Sequence, residues 1–394
     1  MESDRGHSHR SRRCVMSQPI RSGLASLTNS VLQSLGAGDN AAGIVLPRCK
    51  QVVLCLVDGL GAQLLDRYAH RAPYLSSRIN KGEGQVLRSG FPSTTAASLA
   101  SLATAEDSGS HGIVGAAFNV EGWQFNPLSW QLFDPRTGRL DAAACAEEIV
   151  ASQSAWVKAA ADGLLINAFL PAAIAGSAYT RAVFNGANVI AFTDPDDLIA
   201  NVRSVSACND RQLSYVYFGE LDLCGHLHGP GSEKWQDTLE DIDRRIRSLR
   251  DQIEQDALLI VTADHGMTTI EEARTFDFDL MPDLQRGVAS ICGDIRARHV
   301  YLQDPTDANV VKRWRDILAG HSVLTREQAL VLGLFGKNVT DAACRRIGDL
   351  LLIAGGNAGL VRSVREPFQT SWTGHHGALS DEEQLVPLIV ATGG

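Results

Sequence analysis

The chain has 394 residues, of which 44% are hydrophobic, 21% charged and 6% aromatic, with a formal net charge of −9. That composition excludes a disordered, collagenous or coiled-coil chain, and the acidic balance argues against a mainly electrostatic nucleic-acid binder. A chain of this length can bury a large core without covalent staples.

In chain order, the first stretch, MESDRGHSHRSRRCVMSQPI, holds Arg, Ser and His but no apolar h-region. It reads as a flexible tail over residues 1–20 rather than a secretory signal. Residues 21–394 then read as one α/β domain, with an inserted lobe expected within 270–370. Strand candidates are Val52–Val57, Leu164–Phe169, Val189–Phe192, Leu213–Phe218, Leu258–Thr262, His299–Leu302, Leu350–Ile353 and Val386–Val390. Several are continuous apolar runs, the pattern of strands covered on both faces, so a central, mainly parallel sheet flanked by helices on both faces is expected. The strongest helical pattern is Ser232–Gln255, where Trp235, Leu239, Ile242, Ile246, Leu249 and Ile253 recur at spacings of four and three behind a Ser232 N-cap. No apolar run approaches the roughly 18 residues of a membrane-spanning helix. The eight cysteines are scattered without a C-x-x-C, which predicts reduced thiols and a cytoplasmic setting.

Ligands of such sheets bind beyond the carboxyl ends of the strands. Val52–Val57 runs into Asp58-Gly59, Leu213–Phe218 into Glu220-Leu221-Asp222 and Gly225-His226, and Leu258–Thr262 into Asp264-His265-Gly266. A late Gly374-His375-His376-Gly377 adds further imidazoles. Taken singly, each is a plausible turn or loop salt bridge. Together they would require four independent turns to choose metal-ligand residue types. Asp and His without cysteine suit zinc, manganese or a similar divalent ion. The segment Phe91-Pro92-Ser93-Thr94-Thr95-Ala96-Ala97-Ser98 opens a small-residue helix, where a hydroxyl would meet free N–H groups that favour phosphate. Ordinary capping by Ser93, Thr94 or Thr95 is the competing explanation. Arg296 and Arg298, before the His299–Leu302 strand, read as surface charges in preference to phosphate ligands.

The blocks VVLCLVDGLG (52–61), FPSTTAAS (91–98), GSHGIVG (109–115), ELDLCGHLHGPG (220–231), VTADHGM (261–267) and TGHHGA (373–378) together resemble the type I phosphodiesterase/nucleotide pyrophosphatase family of the alkaline phosphatase superfamily. The resemblance implies an alkaline-phosphatase-like catalytic domain with two divalent metal ions, zinc in the first instance and manganese as an alternative. By that resemblance Asp58, Thr95, Asp264 and His265 hold one ion, and Asp222, His226 and His376 the other. The same comparison prefers Thr95 to Thr94 as nucleophile and His376 to His375 as ligand, and leaves His228 outside the ligand set. It also places Ser98 where the family has a substrate-binding asparagine.

The implied activity is hydrolysis of phosphodiester or nucleotide pyrophosphate bonds through a covalent phosphothreonine. Its partner would be a small phosphorus ester, nucleotides included, with no nucleic acid or membrane. A phosphomonoesterase, phosphonate hydrolase or phosphomutase of the same superfamily is the first alternative, and a non-catalytic metal-stabilised binding protein the second. No C/S-x-P-x-R motif points to a sulfatase.

Overall fold

The computed structural model describes residues 23–392 apart from 39–42, 136, 141–148, 151 and 209. The tail expected over residues 1–20 lies outside the described residues. Seven strands form the central sheet, in the order Gly84–Arg88, Leu385–Ala391, Leu258–Thr262, Gln51–Val57, Gln212–Phe218, Leu165–Pro171 and Asn188–Phe192. Gln51–Val57 lies parallel to both Gln212–Phe218 and Leu258–Thr262, and Leu165–Pro171 is parallel to its two neighbours. Leu385–Ala391 runs antiparallel to the strands on either side of it. The expected α/β class with a mainly parallel sheet is therefore what the chain adopts.

The physical cause lies in the strand sequences. Every residue of Gln51–Val57 is buried, so alternate side chains pointing to opposite faces all find cover. The helix Glu233–Gln252 contributes to the same apolar cluster as this strand; it is capped by Ser232, whose hydroxyl accepts from the Trp235 N–H, and Trp235, Leu239, Ile242, Ile246 and Leu249 are its buried stripe. Among the described residues, no helix is long and apolar enough to cross a membrane.

Two of the sequence-predicted strands sit elsewhere. Ala297–Leu302 and Leu350–Ile353 join Val288–Asp294 and Ser322–Thr325 in a four-stranded antiparallel sheet. That sheet has its own apolar cluster, including Phe278, Ile291, Val300, Trp314, Leu350 and Leu352. A three-stranded antiparallel sheet, Phe118–Val120, Trp123–Asn126 and Gln131–Phe133, completes the surroundings of the site.

The reading of Arg296 and Arg298 as surface charges is overturned. Both are completely buried. The Arg296 guanidinium donates to both oxygens of Glu383, at 3.1 and 2.6 Å, and to the carbonyls of Gly356 and Ala358. Arg298 donates to Glu366 at 2.7 Å and to the carbonyls of Leu360 and Gly293. A guanidinium survives burial because its fork of donors meets a matching carboxylate and carbonyls. These pairs fasten the antiparallel sheet to the C-terminal part of the chain.

Two predictions follow from this packing. Replacing Arg296 with Met leaves the Glu383 carboxylate buried and unpaired, and should cost about 3–5 kcal/mol in urea denaturation; a loss below about 1 kcal/mol would mean the pair does not fasten the sheet. The second concerns His111, which is buried between the Ser101 hydroxyl and the Ile113 N–H. Burial pushes its imidazole down to about 3. A base whose folded pKa lies below the unfolded value contributes stability above about pH 6.5, and that contribution falls away as the pH drops toward the folded value. The stability advantage of wild type over His111→Gln should therefore shrink by about 2 kcal/mol between pH 7 and pH 5.

Candidate metal centre

The strand register assembles the site. Leu56 is level with Thr262 and Val57 with Phe218, so the residues that follow the three strands emerge side by side. Asp58 and Asp264 leave two neighbouring strands at the same height. Phe218 leads through Gly219 into the helix Glu220–His228, which carries Asp222 in its first turn and His226 one turn later on the same face. Gly59 adopts φ +75° and has Asp222 against it: a Cβ there would lie 3.1 Å from the Asp222 Cα and Cβ. Only glycine permits that approach.

Six of the seven expected metal-ligand side chains are carboxylates or imidazoles, and they converge. His265 Nε2 lies 3.4 Å from Asp58 Oδ1 and 3.4 Å from Asp264 Oδ2. The Thr95 hydroxyl, the seventh, is 3.1 Å from the same nitrogen. His226 Nε2 lies 3.2 Å from Asp222 Oδ2, and His376 Nε2 is 3.3 Å from His226 Nε2 and 3.8 Å from Asp222 Oδ1. The His265 and His376 rings stack at 3.7 Å. Thr95 begins the helix Thr95–Thr104, with Thr94 as its N-cap residue. His228, by contrast, is exposed, and His375 turns its Nε2 to the Trp372 carbonyl. Ser98 is not brought to this group: its hydroxyl meets that of Ser89 at 3.2 Å and lines a different cavity.

The donor chemistry fits divalent cations. The Nδ1–H of His226 donates to the Gly374 carbonyl, that of His376 to Ser93 and that of His265 to Gly266. A carbonyl can only accept, so each ring keeps its Nε2 lone pair turned inward. Two such lone pairs 3.3 Å apart repel unless a cation lies between them or one ring takes a proton. Asp58 Oδ1, Asp222 Oδ1 and Asp264 Oδ2 are buried with no hydrogen-bond partner. Asp58, Asp264 and His265 place one ligand atom each within 4.8 Å of one another, as do Asp222, His265 and His376.

Electrostatics point the same way. Burial, reinforced by the charges of Asp264 and Asp222, pushes the Asp58 carboxyl well above the usual carboxylate range. Burial also raises Asp264. Burial, with His265 next to it, holds the His376 imidazole well below its ordinary range. Asp222 is the exception, since His226 beside it outweighs burial and lowers it. Bound cations relieve like-charge crowding of this kind.

Sequence reasoning missed three residues here. Tyr217 donates its hydroxyl to Asp58 Oδ2 at 2.5 Å, fixing that carboxylate so that Oδ1 faces the centre. Its only signal was a polar tip inside an apolar strand. Trp372 lays its ring on His226, with centroids 4.1 Å apart. Asp294 ends the strand Val288–Asp294 and lines the same cavity as Thr95, His226 and His376, and burial pushes its carboxyl up to about 7. An aspartate closing a strand was the signal that exposed Asp58, but the run VASICG was too mixed to read as a strand. The cavity itself, about 590 Å³, is also bordered by Gln124, Asn126, Phe133, Leu223 and Arg362.

A mainly parallel sheet whose carboxyl edge gathers carboxylates and imidazoles around a hydroxyl at a helix N-terminus is the arrangement of the alkaline phosphatase superfamily. Within it, the family described as type I phosphodiesterase / nucleotide pyrophosphatase matches residues 52–379, and the chain belongs to that family. The chain is 43% identical over 68 residues to mouse ectonucleotide pyrophosphatase/phosphodiesterase family member 7, a match covering 16% of each chain. It is 33% identical over 131 residues to the human counterpart, covering 30% of this chain and 28% of the relative. The matched segments thus span less than a third of either relative.

Solved structures extend the likeness over most of the fold. Murine ectonucleotide pyrophosphatase/phosphodiesterase 5 superposes with a TM-score of 0.65 at 16% identity, over 87% of this chain and 88% of its own. Phosphonoacetate hydrolase from Sinorhizobium meliloti 1021, in complex with phosphonoformate, gives 0.66 at 19% identity, over 89% and 92%. At these identities the likeness is one of fold.

Tyr217→Phe tests the orientation of Asp58. Removing the hydroxyl should weaken binding of added zinc at the Asp58 group by roughly 10- to 100-fold, read by titration against a competing chelator. Unchanged affinity would show that Asp58 needs no such support.

Proposed function

We propose that the protein is a two-metal hydrolase of phosphodiester or nucleotide pyrophosphate bonds that works through a phosphothreonine at Thr95. The observation that carries this reading is the Thr95 hydroxyl, at the start of a helix and 3.1 Å from His265 Nε2, in a centre where Asp58, Asp222 and Asp264 each keep one buried oxygen without a donor. One ion would be held by Asp58, Thr95, Asp264 and His265, and the other by Asp222, His226 and His376. When bound, two such ions stabilise charge on the attacking and leaving oxygens of an in-line displacement.

The chain supplies the rest. Thr95 Oγ1 gives up its proton to solvent and forms a bond to phosphorus as the bond to the leaving alcohol or phosphate breaks, a leaving alkoxide taking a proton from solvent in turn. Water then forms the second bond to phosphorus, and Thr95 Oγ1 is released. Backbone N–H groups at the start of Thr95–Thr104 face the charge that develops on the phosphoryl oxygens. The Nδ1–H···O=C bonds of His226, His265 and His376 keep the rings from turning during the cycle.

Zinc is the ion this reading favours, and a cytoplasmic setting the compartment. In support of the latter, Cys49, Cys55, Cys208, Cys224, Cys292 and Cys344 form no disulfide. The family and the murine and bacterial structures support a phosphorus-ester substrate. One of the murine structures, described as inactive, was solved in complex with AMP.

The test compares bis(p-nitrophenyl) phosphate with p-nitrophenyl phosphate, using zinc-loaded protein and its Thr95→Ala variant. Diester cleavage should dominate and fall by roughly 10³-fold or more in the variant. Monoester preference would move the protein to a phosphomonoesterase branch. Zinc binding with no Thr95-dependent turnover of either ester would sink the hydrolase assignment.

A further inference from the structure

One carboxyl group beside Thr95 belongs to none of the seven expected metal ligands. Asp294 ends the strand Val288–Asp294, at the tip of a hairpin that turns through Ile295 and Arg296 into Ala297–Leu302. The residue borders the cavity, yet its Oδ2 is closed off from bulk water and has no hydrogen-bond partner.

Three features hold it there. The Thr94 side chain, one residue before Thr95, lies against the Asp294 carboxyl and favours its charged form. Gly377, next to His376 and at φ +124°, makes room for it: a Cβ on Gly377 would lie 2.9 Å from the Asp294 Cβ and 3.1 Å from Oδ2. The hairpin tip is also clamped. Arg296 grips Glu383, and Glu383 Oε1 in turn accepts the Ala378 N–H at 2.9 Å. One carboxylate thus ties the Asp294 hairpin to the loop that carries His376.

Asp294 Oδ2 is the fourth carboxylate oxygen at this edge that is buried without a donor, after those of Asp58, Asp222 and Asp264. The first three have metal ions to meet. The seven expected ligands already give one ion four protein ligands and the other three, leaving the second with open positions for substrate, as catalytic sites require. Asp294 is therefore surplus to the ions and faces the substrate cavity. A carboxylate bordering a site for anionic esters is unfavourable unless the ligand brings a donor to it.

We propose that Asp294 selects the substrate: its carboxylate accepts a hydrogen bond from a hydroxyl or ammonium group on the alcohol arm of the phosphorus ester, close to the scissile bond. The inference rests on the phosphorus-ester reading of the cavity given above. It narrows the substrate class to esters of amino or hydroxy alcohols.

Calorimetric binding to zinc-loaded protein tests it without requiring turnover. The probes are ethyl, 2-hydroxyethyl and 2-aminoethyl methylphosphonate. Wild type should bind the two donor-bearing esters at least about tenfold tighter than the ethyl ester, and Asp294→Ala should lose most of that advantage. Asp294→Asn keeps the side chain's shape and an acceptor oxygen but not its charge. It should retain the hydroxyl preference and lose the ammonium preference, and it preserves the test if the alanine variant fails to fold.

Zinc content should remain at that of wild type in both variants. Equal affinity of wild type for all three esters overturns the inference, as does an advantage that survives in Asp294→Ala. Loss of zinc from the variants also overturns it, because Asp294 would then be a metal ligand. If wild type binds none of the three, the phosphorus-ester reading fails and this inference with it.

Discussion

Asp58, Asp222 and Asp264 are packed largely out of water at one sheet edge, close enough that the charges of Asp264 and Asp222 raise the affinity of Asp58 for protons and that of Asp222 raises the affinity of Asp264. Most of the surrounding architecture is concerned with holding them there. Parallel strand register puts Asp58 beside Asp264, and glycine at position 59 admits Asp222. Gly59 N–H and His265 N–H both donate to Asp264 Oδ1, and the Tyr217 hydroxyl to Asp58 Oδ2. Each carboxylate of that pair is thereby pinned by one oxygen and left bare at the other. The cost of those bare oxygens makes sense only in a protein that uses them, since a fold selected for stability alone would pair or replace them.

The histidines follow the same logic in mirror image. Their Nδ1 protons are consumed by main-chain carbonyls of Gly266, Gly374 and Ser93, and these belong to the same short segments that carry the candidate ligands and Thr95. Ser93 also donates its hydroxyl to Ala378 and accepts the Gly377 N–H, so the Thr95 segment and the His376 loop are hydrogen-bonded in both directions. Thr95 and the candidate metal ligands come from distant parts of the chain, yet they are held relative to one another by backbone contacts rather than by long flexible side chains. Such preorganisation suits charge stabilisation at a reacting phosphoryl group, where reorientation of dipoles would otherwise consume part of the gain.

How much of this was legible in the sequence varies with the physical signal. Strands buried on both faces announce themselves as apolar runs, and the Asp or Asp-His that follows each run marks the carboxyl edge; that is why Val52–Val57 with Asp58 and Leu258–Thr262 with Asp264-His265 could be read directly. The pairing partner of a strand is not written in its own residues, so His299–Leu302 and Leu350–Ile353 looked no different from the central strands while belonging to another sheet. Arg296 and Arg298 were misread because burial of a guanidinium depends on partners up to 87 residues away, Glu383 among them. Short polar strands such as Trp123–Asn126 carry too few apolar positions to alternate visibly. Ser98 has the sequence position for substrate contact, but its helical phase turns it toward Ser89.

That uneven legibility has a structural origin. The candidate metal ligands emerge from strand ends and short turns, where local sequence and register together decide what a side chain faces. The residues that border the rest of the cavity, among them Gln124, Asn126, Phe133, Asp294 and Arg362, come from the two antiparallel sheets and the loop after them. Their placement depends on long-range pairs such as Arg296–Glu383 and Arg298–Glu366. Family membership therefore speaks for the parallel sheet and its edge, while the rest of the cavity wall is built from segments whose geometry no local pattern reveals. The buried arginine pairs are where the two meet, since they hold the cavity wall against the loop that carries His376.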